Sequence, residues 1–182
     1  MIETTLPAQE DYRRYDDVWK RVSPSLRPYP AAPKRPEAAG KAPCLGEATR
    51  EETAALETFI RDAMAGAQTY RYLASLAPTA AGRHMLRRLA EDETAQVRTL
   101  RSVYFLVTGG TYDATVVLPP QPRLLWRDRL RERWREEVSS GFQYASAAAG
   151  TADICLDRLY TKLSEEAYRR AELLRRLLAE TL

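Results

Sequence analysis

The chain has 182 residues, 45% of them apolar and 29% charged, with a formal net charge of +3. That balance is globular, no apolar run approaches the ~20 residues that cross a bilayer, and the basic residues are mixed with acids instead of gathered in a block. Composition therefore excludes a transmembrane span and makes no demand for a nucleic acid, and the start Met1-Ile2-Glu3-Thr4-Thr5, with neither a basic cluster nor an apolar core, points to a cytoplasmic chain.

Residues 1 to about 50 differ from the rest. The stretch Gln9 to Val22 presents Tyr12, Tyr15, Val18, Trp19 and Val22 at helical spacing. Pro24, Pro28, Pro30, Pro33, Pro36 and Pro43 follow and forbid a continuous helix. The aromatic residues give this proline-rich extension apolar handles, so it is expected to pack on its own bundle or on a neighbouring subunit. Cys44 and Cys155 lie far apart without a disulfide-framework or zinc spacing, and two ordinary thiols are expected.

Residues 51 to 182 read as four helices. Thr49 and Glu52 have the spacing of a capping box, after which Leu56, Phe59, Ile60, Ala63, Ala67, Tyr70, Leu73 and Ala77 form a stripe that stops at Pro78. The second helix, about Ala80 to Thr108, aligns Leu86, Leu89, Ala90, Glu93, Val97, Leu100, Tyr104 and Val107 and ends at Gly109-Gly110. The third starts after Pro122 and aligns Leu130, Trp134, Glu137, Gly141, Tyr144 and Ala148 as far as Gly150. The fourth runs from Ala152 to the end, with Leu156, Leu159, Leu163, Glu166, Leu173 and Leu177 on one face.

Connection lengths set the topology. Only a few residues separate the first helix from the second and the third from the fourth, so each pair is an antiparallel hairpin. Between the second and third, Gly109 to Pro122 has Val116, Val117 and Leu118 at its middle and no helical period. Extended at ~3.3 Å per residue it spans ~40 Å, the length of a ~25-residue helix. It can therefore cross the whole bundle and place the second and third helices parallel. The fold class is all-α: a four-helix bundle with a long crossover and an N-terminal extension.

The two hairpins repeat one frame. Ala63 is followed by Tyr70 and by Glu93-Thr94-Ala95-Gln96; Glu137 is followed by Tyr144 and by Glu166-Ala167-Tyr168-Arg169. An acid on the first helix of each hairpin and an acid-x-x-His turn on the second are how such bundles hold two metal ions. Here Glu93, Glu137 and Glu166 face inward, while Ala63, Gln96 and Arg169 stand where the other ligands belong. Alanine has no donor atom, a neutral amide is a weak ligand, and a guanidinium keeps its proton. The single histidine, His84, falls too far along the second helix to repair the site.

Buried acids need a counter-charge. Two outcomes stand open: Arg169, or Arg170 if the fourth helix is rotated slightly, forks against them in place of metal, or both reach solvent along their aliphatic stems. Tyr70 and Tyr144 are candidate donors to the acids or plain core aromatics. Gly66 and Gly141 either permit close helix approach or are chance small residues. Trp126 and Trp134, if exposed, would mark an interface or a seat for the arm.

On these motifs the chain, over roughly residues 52 to 180, resembles the rubrerythrin-like, ferritin-like domains. The resemblance implies a ferritin-like bundle in which the first and third helices each give a glutamate and the second and fourth a Glu-x-x-His, around a di-iron centre that handles peroxide or oxygen or stores iron. Glu93, Glu137 and Glu166 match that pattern; Ala63, Gln96 and Arg169 depart from it. Asp17 to Val22 followed by Pro24 and Pro28-Tyr29-Pro30 looks like a leader that precedes some bacterial proteins of this kind. No Cys-x-x-Cys pair is present, so a rubredoxin-like module is absent. The expectation is a degenerate ferritin-like protein without di-iron chemistry: non-enzymatic, structural or interacting, cofactor-free and homodimeric. The alternative is a residual iron or manganese protein that uses Glu93, Glu137 and Glu166 with help from Gln96. A basic helical binder of nucleic acid is a third class, opposed by the interspersed acids.

Overall fold

The computed structural model of the chain describes residues 44–117 and 125–180. The expected helix at Gln9 to Val22, the proline-rich run up to Pro43, Leu118 and Pro122 lie outside the described residues. A 3-10 helix, Glu47–Glu52, leads into α1 (Thr53–Leu76), α2 (Ala80–Thr108), α3 (Trp126–Gly150) and α4 (Ile154–Glu180). The described residues are thus all-helical apart from turns and connections, and none of these helices is long and apolar enough to cross a membrane.

Local chemistry sets the helix ends. Ala77 turns extended ahead of Pro78 and ends α1. The Thr79 side chain accepts from Gly82 N at 3.1 Å and caps α2, which stops where Gly109 takes a left-handed φ of 74°. Asp153 caps α4, its Oδ1 accepting from Cys155 N at 2.8 Å and Leu156 N at 3.1 Å. The expected Thr49–Glu52 capping box is not formed. Thr49 lies within the 3-10 helix, buried, and its hydroxyl donates to Asp153 Oδ2 at 2.8 Å, a partner 104 residues away; Glu52 is the N-cap residue of α1 and its side chain makes no capping hydrogen bond.

Cross-helix contacts fix the directions. Glu57, Met64 and Arg71 of α1 meet Tyr104, Arg101 and Thr94 of α2, so these helices are antiparallel. Phe59, Tyr70 and Tyr72 of α1 meet Tyr144, Glu137 and Arg129 of α3, again antiparallel. It follows that α2 and α3 run the same way. The described start of their connection lies along the α1/α2 hairpin: Gln68 Nε2 donates to the Val116 carbonyl at 3.1 Å, and the Tyr112 and Tyr104 rings lie 5.4 Å apart.

The apolar stripes meet in two clusters. One gathers Leu56, Phe59, Ile60, Leu100, Leu156, Tyr160 and Leu163; the other gathers Tyr70, Leu73, Leu86, Leu89, Leu130, Leu174 and Leu177. Each fully buried leucine contributes about 1.5–3 kcal/mol relative to an exposed one. In α2, α3 and α4 the residues between the clusters in register are Glu93, Gln96, Glu137, Arg133 and Arg170, so a polar layer separates the two halves of the core. Trp126 and Trp134 are half-buried against the second cluster, so they face their own bundle.

Two expectations are corrected here. The buried face of α4 is Leu156, Tyr160, Leu163, Ala167, Arg170, Leu174 and Leu177, about one residue away from the expected face with Leu159, Glu166 and Leu173. Turning the helix this way seats the fully buried Ala167 where a third carboxylate would otherwise lose its water. Cys44 and Cys155 are not two ordinary thiols but a disulfide, with Cα atoms 5.4 Å apart, a usual bridging distance. Thr49 and Leu45 tether this part of the chain to Asp153 beside Cys155, which brings the sulfurs together.

Candidate functional site

The polar layer is an ion cluster. Arg170 extends from α4 and donates through Nε to Glu137 Oε2 at 2.9 Å, with its Nη2 3.3 Å from Glu93 Oε1 and its Nη1 donating to Gln96 Oε1 at 3.3 Å. Arg133, one turn before Glu137 on α3, sends Nη2 to Glu93 Oε1 at 3.1 Å and to Glu137 Oε1, and Nη1 to Glu136 Oε2 at 2.9 Å. Tyr70 donates its hydroxyl to Glu137 Oε1 at 2.7 Å, and the Arg133 guanidinium lies 4.4 Å from the centre of its ring. Gln96 Nε2 donates to the Tyr144 hydroxyl at 2.6 Å. Glu93, Gln96, Arg133, Glu137 and Arg170 are all buried.

Gly66 makes the room. A Cβ at that position of α1 would lie 2.8 Å from Arg133 Nη2 and 3.0 Å from Glu93 Oε1. Gly141 serves a different neighbour: a Cβ there would touch the Tyr168 ring at 2.9 Å. Both glycines therefore permit close approach.

The two carboxylates are not equivalent. Burial disfavours charge on Glu137, but Arg133, Arg170 and the Tyr70 hydroxyl outweigh it and hold its pKa below the ordinary carboxylate value. Burial dominates at Glu93, whose Oε2 has no hydrogen-bond partner; with the neighbouring Glu137 charge added, and despite Arg170 and Arg133, its pKa is pushed up to about 7. Burial also works against the charge on both arginines, and the carboxylates more than offset it, so Arg133 and Arg170 are held cationic. Burial raises the Tyr144 hydroxyl well above its ordinary pKa.

Of the acids expected to meet, the structure unites Glu93 and Glu137 and leaves Glu166 apart. Glu166 is half-buried at the edge of the bundle where α4 faces α2, 3.8 Å from Lys162. Arg169 is exposed and pairs with Asp92 at 3.0 Å. It is the neighbouring Arg170 that enters the core, the outcome expected of a slightly rotated helix. Ala63 is packed in the first apolar cluster and His84 is exposed. Asp92, Gln96, Thr99, Lys162, Glu166 and Arg169 line an open cleft of about 180 Å³ between α2 and α4. Arg133 was missed by sequence reasoning. Its signal was its place four residues before Glu137 and three after Leu130, which puts it on the inward face of α3.

A pair of iron or manganese ions in a bundle of this kind takes four carboxylates and two imidazoles. This cluster offers two carboxylates and no imidazole, and guanidinium nitrogens already stand within ion-pairing distance of both acids. The residues do not fit the metal pair. Among the described residues, Cys44, Asp153 and Cys155 bring metal-type ligand atoms together, but the two sulfurs are bonded to each other. No family model, curated protein or solved structure matches the chain.

Proposed function

We propose that the chain is a degenerate ferritin-like, rubrerythrin-like protein in which an arginine–carboxylate cluster stands in for di-iron chemistry, and that it acts as a non-enzymatic structural or interaction protein. The observation that carries this reading is the placement of the Arg133 and Arg170 guanidiniums against Glu93 and Glu137. A guanidinium neither gives up its proton nor changes oxidation state. What it can do is hold charge and geometry constant, and here it ties α2, α3 and α4 at one level of the bundle. The parallel run of α2 and α3 supports the ferritin-like part of the reading, because a long crossover gives that arrangement. The alternative, one hard ion held by Glu93, Glu137 and Glu166, has less support, since Glu166 lies on the cleft beside Lys162.

The test is to add ferrous or manganous ion to protein purified without chelator, desalt it, and measure retained metal together with mass by light scattering. The expected result is no stoichiometric metal and the mass of a homodimer. Two ions retained per chain would overturn the loss of metal chemistry, and a monomeric mass would overturn only the self-association.

A further inference from the structure

The Cys44–Cys155 disulfide sits outside both apolar clusters, with Cys44 exposed and Cys155 half-buried. Asp153 spans the same two segments without a covalent bond. Its Oδ2 accepts from Leu45 N at 2.6 Å and Thr49 Oγ1 at 2.8 Å on one side. Its Oδ1 accepts from Cys155 N at 2.8 Å and Leu156 N at 3.1 Å on the other. With both oxygens satisfied in this way, the carboxylate is a clamp and not an idle metal ligand. Burial works against its charge, yet these donors hold its pKa below the ordinary value, so the clamp stays charged.

We propose that Cys44–Cys155 is a reversible thiol–disulfide exchange site that reacts stoichiometrically with dithiols as exchange partners, with Asp153 as the positioning residue that keeps the two sulfurs within bonding reach once the bond is open.

Cys44 is the more exposed of the two residues, which makes its Sγ the point of attack. A thiolate of the dithiol bonds to it, the Cys44–Cys155 bond breaks, and the electron pair leaves on Cys155 Sγ, which takes a proton from water. The second thiolate of the dithiol then attacks its own bonded sulfur and releases Cys44 as a thiolate, which is protonated in turn. The protein disulfide has gained two electrons and the dithiol has become a disulfide. Re-closure transfers the electrons to a disulfide oxidant by the same steps in reverse. Cys155 leaves from the first turn of α4, where the helix N-terminus favours a thiolate and the Asp153 charge opposes it.

Reversibility follows from the clamp. The hydrogen bonds of Asp153 do not pass through the sulfurs, so residues 45–52 stay against α4 after reduction, and the two thiols face each other at high effective concentration. Because neither sulfur packs in the core, opening the bond leaves the four helices in place.

The test treats the native full chain with dithiothreitol, counts free thiols by alkylation and mass measurement, and follows helix content by circular dichroism. Re-closure is then timed with oxidised glutathione. Both thiols are expected to appear while helix content is retained, and then to re-form the bond. A disulfide that resists dithiothreitol until denaturant is added, or a loss of helix on reduction, would overturn the proposal. Asp153→Ala is expected to slow re-closure about tenfold or more. Thr49→Val removes one hydrogen bond, keeps the α4 cap, and is expected to slow it about threefold. Wild-type closure in a folded Asp153→Ala chain overturns the positioning role, and Thr49→Val decides the matter if Asp153→Ala does not fold.

Discussion

Arg170 donates from Nε to Glu137 Oε2 at 2.9 Å with both side chains almost wholly closed to solvent, while Arg169, the residue before it, reaches Asp92 with half of its surface in water. One step of helical rotation thus separates a core cation from a rim cation. Arg170→Met strips two buried carboxylates of a partner and is expected to cost about 3–5 kcal/mol. Arg169→Ala breaks an exposed pair and is expected to cost at most about 1 kcal/mol. Urea denaturation of the two variants checks this; similar losses would refute the core placement of Arg170.

Gly66 and Gly141 are expected to respond differently to the same substitution. In Gly66→Ala the new methyl meets the Arg133 guanidinium, which is buried and held by three acids, so the network must shift at a cost of about 1–3 kcal/mol. In Gly141→Ala it meets the far end of the Tyr168 ring, a side chain 44% exposed and outside the buried ion cluster, so the shift costs less. The gain of up to about 1 kcal/mol in helix propensity then offsets most of the strain. Thermal denaturation compares them, and a larger loss for Gly141→Ala would count against this account of Gly66.

The raised pKa of Glu93 has a definite sign in the pH dependence of stability. Unfolded, Glu93 ionises near the ordinary 4.5; folded, it holds its proton to about 7. Between those values the native state binds the extra proton, so stability falls as pH rises through that window. The size is roughly 3 kcal/mol. Glu137 works the other way: its pKa is lowered, so its contribution is present above the ordinary value and is lost on acidification. Glu93→Gln is expected to remove the decline between about pH 5 and about pH 7.5, read from urea midpoints. Parallel profiles for the variant and the parent would show that Glu93 does not titrate there.

Tyr70→Phe takes away a buried hydroxyl donor to a carboxylate and is expected to cost about 1.5–3 kcal/mol. It also removes one of the groups that lower the Glu137 pKa. The acid-side loss of stability is therefore expected to move to higher pH in the variant. An unchanged acid midpoint would mean that the hydroxyl does not act on Glu137.

Much of the architecture was legible because leucines and alanines at helical spacing report burial directly. The α2 limits and the Leu56–Ala77 stripe match the expected ones. The face of α4 was harder to read, since Leu173 and Leu174, and Leu177 and Leu178, stand side by side and fit two rotations equally. The acid-x-x-His frame then favoured the rotation that carries Glu166 inward. Arg133 escaped because hydrophobic periodicity assigns a cation to the surface, and only Glu93 across from it and Glu137 one turn on along its own helix make its burial tolerable. The disulfide closes 111 residues of sequence and depends on where the chain returns in space, which Cys spacing does not encode.

The junction at Asp153 also has a mechanical meaning. Whatever precedes residue 44 is fastened to the first turn of α4 by a covalent bond and by the hydrogen bonds to Leu45 and Thr49. A pull on the amino-terminal side is therefore borne by the last helix and not by α1, which is shielded from tension although it follows next in the chain.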